Sequence, residues 1–288
     1  MKKKRVFLII LVIVILFFVT LMLPFVINPP TIGPRVAVID IPGIITKSDA
    51  TIKLIHTYRD DPNVKAIVLR INSPGGSVAP VQEIHRELTK LDKPIVASMA
   101  GSAASGGYYI ACAADTIIAN PGTLTGSIGV IMQFTKLKGL YEKVGLEQQV
   151  IKSGQFKDAG SMFRDLSVED RAILQETVDD VYNQFVDAIH QSRNEHLTRD
   201  EIVELADGRI YSGNQALSHK LIDQIGNLQD AIGVAGKLGK IEGTPKILRK
   251  ERRSSLLEQL IGIEHNSQID NLISFPGVTF RYELSLGK

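Results

Sequence analysis

Apolar positions change their period along the chain. Residues 6–27 form a continuous apolar run in which Thr20 is the polar exception. As a helix this run would reach about 33 Å, enough for the roughly 30 Å hydrocarbon core of a bilayer. From residue 35 the pattern breaks into short stretches. Residues 35–40 alternate in the manner of a strand, and residues 48–59 carry Ile52, Ile55 and Tyr58 at helical spacing. Residues 65–71 read as a buried strand that ends at Asn72-Ser73-Pro74-Gly75-Gly76-Ser77. A helix with Val81, Ile84, Leu88 and Leu91 on one face follows, then a strand at 94–99. That strand runs into Ala104-Ser105-Gly106-Gly107 and a small-residue helix through Ala114. Further strands are expected at 116–119, 128–133 and 148–152, with a helix near 137–144. Such alternation of buried strands and amphipathic helices predicts an α/β fold with a largely parallel sheet. From Ser167 the character changes. Ser167-Val168-Glu169-Asp170 resembles a capping box, and Leu174, Val178, Val181 and Phe185 continue a helical stripe. Thr198 opens a further helix, so the second half is expected to be helical and to pack over the sheet.

Charge gives the first segment a direction. Lys2, Lys3, Lys4 and Arg5 precede the apolar run, and the next cation is Arg35. The N-terminus should therefore stay inside and everything beyond residue 30 lie outside the membrane. The run ends without a small-x-small cleavage site, so it reads as an anchor at residues 1–30 rather than a signal peptide. The remaining composition, 44% apolar and 22% charged over 288 residues, suits one large or two small globular domains. A net charge of +2 provides no field for nucleic acid. A single cysteine, Cys112, excludes an intramolecular disulfide framework. With no Trp and 6% aromatic residues, no stacking platform for sugars or bases is visible. Toward the C-terminus, Lys246, Arg249, Lys250, Arg252 and Arg253 precede Leu256, Leu257 and Leu260. A solvated linker leading to a terminal packing helix is expected there, with contact to anionic lipid head groups as the alternative.

Two glycine-rich turns carry the candidate chemistry. Ser105 follows a strand and starts a helix, where backbone N–H groups favour a developing anion and the glycines let a substrate approach. Its plain alternative role is a helix cap. The loop at residues 72–77 also joins a strand to a helix, so both turns should emerge at one edge of a parallel sheet, where ligands bind. Amides of Gly76 and Gly106 could form an oxyanion hole, and the alternative is an ordinary Pro-Gly turn. A phosphate-binding loop fits poorly, because no Gly-Lys-Ser/Thr follows. His56, His85, His190, His196, His219 and His265 all lie outside glycine-rich or strand-end contexts, so nothing marks a Ser-His-Asp triad. Lysine is the other available base when its amine is kept neutral. Lys157, in Ser153-Gly154-Gln155-Phe156-Lys157-Asp158, would by itself read as a surface lysine.

Taken in order, these segments resemble the signal peptide peptidase SppA family, of the short single-domain type, a Ser-Lys branch of the ClpP/crotonase-like folds. The resemblance runs from Arg70-Ile71-Asn72-Ser73-Pro74-Gly75-Gly76 through Ser105-Gly106-Gly107-Tyr108-Tyr109 to Thr125-Gly126-Ser127-Ile128-Gly129. It continues through Ser153-Gly154-Gln155-Phe156-Lys157-Asp158 and Asp207-Gly208-Arg209-Ile210-Tyr211. It covers residues 35–240, and leaves 241–288 as a C-terminal tail segment. What it implies is a repeated β-β-α superhelix with a helical C-terminal region, preceded by one transmembrane helix. It makes Ser105 the nucleophile, Lys157 the general base and Ser127 the residue that positions the amine. Gly76 and Gly106 become the oxyanion donors, with Gly75 an alternative to Gly76. No metal or other cofactor is implied. The implied substrates are apolar peptides, chiefly remnant signal peptides, and the implied assembly is a ring-shaped homo-oligomer in which the base can reach a neighbouring serine. Departures at Ala100-Gly101-Ser102-Ala103 and at Leu217-Ser218-His219-Lys220-Leu221 do not touch these positions. Alternative readings are a ClpP-class membrane protease acting on one membrane-protein partner, a crotonase-like acyl-CoA enzyme, and a non-catalytic membrane scaffold. The acyl-CoA enzyme would need cytosolic CoA, which an exported domain lacks.

Overall fold

The computed structural model describes residues 11, 13, 15–20, 33–250 and 280–283, the last four by backbone alone. The chain divides into two compact units, Met1–Pro34 and Arg35–Lys288. In the first, Leu11, Ile13 and residues 15–20 are helical. Among the described residues no helix is long and apolar enough to cross a membrane, and the rest of the expected span at 6–27 lies outside them.

The second unit is built on a parallel sheet. Its strands are β1 (Arg35–Pro42), β2 (Val64–Ser73), β4 (Ile95–Ala104), β5 (Thr116–Ala119), β9 (Gln224–Ile225) and β10 (Lys246–Arg249). They lie in the order β10-β1-β2-β4-β5-β9, each pair parallel. Period-two alternation explains why both faces are covered. Ala37, Ile39 and Ile41 of β1 share one face with Ile67, Leu69 and Ile71 of β2. That face packs on α1 (Asp49–Asp60) and α2 (Val78–Leu88), which bury Ile55 and Tyr58, and Val81, Ile84 and Leu88. Val36, Val38, Ala66, Val68 and Val96 point the other way, onto Ala231, Ile232 and Ala235 of α8 (Leu228–Leu238).

β6 (Leu124–Gly126) extends the sheet by pairing parallel with the end of β4, and β3 (Gly75–Ser77) and α3 (Gly106–Ala111) follow the carboxyl ends of β2 and β4. The strand expected at 128–133 shrinks to β7 (Ile131–Met132), and α4 (Lys138–Lys143) fulfils the helix expected beyond it. α5 (Val168–Arg193) begins with a reciprocal capping box between Ser167 and Asp170. α6 (Arg199–Leu205) has the same device at Thr198 and Glu201. β8 (Ile210–Ser212) runs antiparallel to β6, and α7 (Gly213–Ser218) follows it.

Two expectations are corrected. Residues 148–152 are not a strand: Val150 is exposed and Ile151 wholly so, leaving the alternation without a sheet to join. Residues 246–249 are not a solvated linker, because β10 pairs with β1 and Arg249 forks onto Asp40 at 2.6 and 2.8 Å. The expected terminal helix lies outside the described residues. β11 (Phe280–Glu283), within the expected tail segment, runs antiparallel between β3 and β7.

Candidate active site

β4 delivers Ser105 to the edge of the sheet, and the chain turns abruptly there. Ser105 has φ +53° and ψ −118°, a left-handed conformation that a side chain adopts at a cost of roughly 1–3 kcal/mol. The turn is held by Ser105 N–H donating to Gly126 O at 2.8 Å and Tyr109 N–H donating to Ser105 O at 2.9 Å. Although Ser105 stands at the cap position of α3, its hydroxyl makes no cap hydrogen bond. The side chain is 1% exposed and its Oγ has no hydrogen-bond partner among the described residues. A buried hydroxyl left unpaired costs about 1–3 kcal/mol, so capping does not account for this serine.

The loop at residues 72–77 packs directly against the turn. Ser102 N–H donates to Asn72 Oδ1 at 3.2 Å, and Ser102 Oγ donates to Ser73 O at 3.4 Å. A Cβ on Gly107 would lie 2.9 Å from Ser73 O, so the helix approaches the loop at glycine distance. Ile45 bridges the other side of the loop: its N–H donates to Gly75 O at 2.9 Å, and its carbonyl accepts from Ser77 N–H at 2.8 Å. Because successive peptide groups of a strand point to opposite edges, the amide and carbonyl of Gly76 face away from Ile45. They face the edge along which β11 runs, with Tyr282 opposite Gly76 and Arg281 opposite Ser77. Gly75 N–H is taken by Ser73 Oγ at 3.0 Å, whereas Gly106 N–H has no partner among the described residues. A Cβ on Gly76 would fall 2.1 Å from Ile45 O, so only glycine fits there.

Ser127 arrives from the neighbouring strand. β6 pairs parallel with β4, setting Gly126 beside Ala104 and hence Ser127 beside Ser105. Ser127 is 7% exposed, also left-handed at φ +49°, and its N–H donates to Arg209 O at 2.7 Å. From Ser127 an open cleft of about 470 Å³ runs past Ile128 and Ile131 to Val178 and Tyr182 of α5.

Among the described residues no contact brings Lys157 to this cluster. It sits in an exposed turn, its N–H donating to Gly154 O at 3.1 Å, and its Nζ has no partner among the described residues. Its neighbour Asp158 is held far below the usual carboxylate range by hydrogen bonds from Arg164 and then Lys152. Arg164, whose pKa is raised chiefly by Asp170, in turn lowers Asp170 to about 2. Sequence reasoning did not single out Arg164, Ile45 or β11, since each gains meaning only from a partner distant along the chain. Among the described residues no histidine reaches Ser105 Oγ. His85 instead packs edge-on against Tyr109 at 4.9 Å, and burial lowers its pKa to about 4. Among the described residues no three His, Cys, Asp or Glu side chains converge where a metal ion would sit.

Residues 87–242 match the model of peptidase family S49, and residues 37–123 match that of Clp protease. A candidate protease of Synechocystis sp. is 42% identical over 212 residues, 72% of this chain and 76% of the relative. A candidate signal peptide peptidase SppA of Enterococcus faecium is 39% identical over 72% of this chain and 61% of its own length. Protease 4 of Salmonella typhi is 35% identical over 75% of this chain and 36% of its own length. A buried, strained and unpartnered serine among glycine amides is therefore found in a chain that belongs to peptidase family S49 and is a serine protease.

Proposed function

We propose that the protein is a membrane-anchored endopeptidase that degrades apolar peptides, chiefly remnant signal peptides, through a Ser105–Lys157 dyad. The observation that carries this reading is the Ser105 hydroxyl itself, buried, unpartnered and held in a left-handed turn. As the hydroxyl attacks the scissile carbonyl, the neutral Lys157 amine takes its proton. Amides of Gly76 and Gly106 receive the oxyanion. The resulting ammonium protonates the leaving amine, and the amine so restored activates water to release the acyl group from Ser105. Ser127 beside Ser105 orients the lysine. The backbone around these residues adopts the ClpP/crotonase-like superhelix.

An extended peptide is the natural occupant of the groove, as β11 illustrates by pairing with β3 on one side and β7 on the other. Strand addition of this kind supplies affinity through the main chain and leaves sequence preference to pockets. The cleft beyond Ser127, bordered by Ile128, Val130 and Ile131, suits an apolar side chain. Ser105 Oγ and Lys157 Nζ lack partners among the described residues, which supports a ring-shaped homo-oligomer in which a neighbouring subunit supplies the base. The anchor holds the site near its substrates outside the cytoplasmic membrane. Leu16, Phe17 and Phe18 support it by being more than half exposed, an apolar surface suited to lipid.

Labelling by a serine-directed fluorophosphonate tests the reading. It should modify Ser105 in the parent, fail in Ser105→Ala, and slow by at least about a hundredfold in Lys157→Ala. Labelling at another serine, or at an unchanged rate in Lys157→Ala, would contradict it.

A further inference from the structure

Lys157 lies on a stretch with almost no packing of its own. Residues 142–157 are exposed throughout, so apolar burial does not fix the turn that presents the amine. Charged hydrogen bonds do so instead. Lys152 Nζ donates to Gln155 O at 2.8 Å and to Asp158 Oδ1 at 2.6 Å, closing the turn across Lys157. Arg164 forks onto the same carboxylate, with Nη2 to Oδ1 at 2.8 Å and Nε to Oδ2 at 3.0 Å. Its far side engages Asp170, through Nη2 to Oδ1 at 3.1 Å and through Nη1 to Oδ2. Arg164 Nη1 also donates to Asp165 O at 2.9 Å. Asp170 belongs to the rigid body: it is 2% exposed and accepts Ser167 N–H at 3.0 Å in the capping box of α5.

We propose that Arg164 is a positioning residue for the reaction at Ser105. Its planar fork ties Asp158, next to Lys157, to buried Asp170 at the start of α5, and so sets where the amine is presented. An ordinary exposed ion pair would be too weak to do this. Here one guanidinium serves two carboxylates, one of them buried, and lysine cannot reproduce that geometry. The inference rests on Lys157 being the base, and the experiment separates the two claims.

Removing Arg164 would also strand Asp170, so Asp158→Ala, which cuts the bonds of both Arg164 and Lys152 to the turn and leaves the Arg164–Asp170 pair in place, is read beside Arg164→Lys, which leaves the Lys152 bond intact. Full-length parent, Asp158→Ala, Arg164→Lys and Lys157→Ala would be compared on an apolar peptide, with melting temperature and oligomer size measured alongside. Asp158→Ala should lose about tenfold or more in kcat, with KM within about twofold, because a misplaced base slows chemistry without weakening binding. The midpoint of its pH–rate profile should move, while melting temperature and assembly match the parent. Arg164→Lys should follow it, and the double variant should be no worse than the poorer single variant, as expected of one linkage. An Asp158→Ala kcat within about twofold of the parent, beside an inactive Lys157→Ala, overturns the proposal and leaves the base assignment intact. A kcat loss that appears only with dissociation or a lowered melting temperature also overturns it. An active Lys157→Ala instead overturns the base assignment on which the inference stands.

Discussion

Ser105 shows how much local stability the site gives up. Its left-handed backbone and its unpaired buried hydroxyl each disfavour the folded state. Ser105→Gly removes both costs, so it should abolish cleavage while raising unfolding free energy by about 1–3 kcal/mol in a denaturant titration. Gly76→Ala should instead lower unfolding free energy, because the new methyl would fall 2.1 Å from Ile45 O. A loss of about a hundredfold or more in kcat is expected as the loop shifts. His85 gives the fold a pH dependence away from the chemistry. Its pKa falls to about 4 when buried, so between its ordinary 6.5 and 4 the unfolded chain binds more protons than the folded one. Stability should therefore fall as pH drops through that window, and His85→Gln should flatten the decline in pH-dependent melting curves. The turn at Ser105 and Gly106 was legible in the sequence because a run of small residues follows a strand there. That the hydroxyl is unpaired was not visible, since it depends on what surrounds it.

At the scale of elements, what was legible followed period and capping. β1, β2, β4 and β5 follow their apolar runs, and α5 and α6 start at the residues whose side chains can bond their own first turn. Ser167→Ala should accordingly cost about 1 kcal/mol in chemical denaturation. Where the reading failed, tertiary partners decided. Gln148-Gln149-Val150-Ile151-Lys152 has the composition of a strand but no edge to join, whereas the basic segment Lys246–Arg249 has an edge at β1 and an acidic partner in Asp40. β11 was hidden for the same reason, because its role comes from lying between β3 and β7. A chain ending at residue 279 lacks a strand that competes with peptides for that groove. Its KM should fall severalfold in steady-state kinetics, with kcat little changed.

For the whole molecule, the parallel sheet fixes Ser105, Ser127 and the 72–77 loop within one rigid frame, while Lys157 stands on an exposed arm. An arm of this kind, with Leu140, Val144, Leu146, Val150 and Ile151 open to solvent, suits a contact with another copy. Ser105→Ala and Lys157→Ala chains, each inactive alone, should regain partial activity when dissociated and reassembled together. Random mixing would give about a quarter of the sites both groups.

Cleavage of an apolar peptide across pH by the parent and by Lys157→Ala tests the dyad most directly. The account predicts that the parent cleaves and that a folded, assembled Lys157→Ala stays inactive at every pH. A folded, assembled variant that cleaves as the parent does would contradict it.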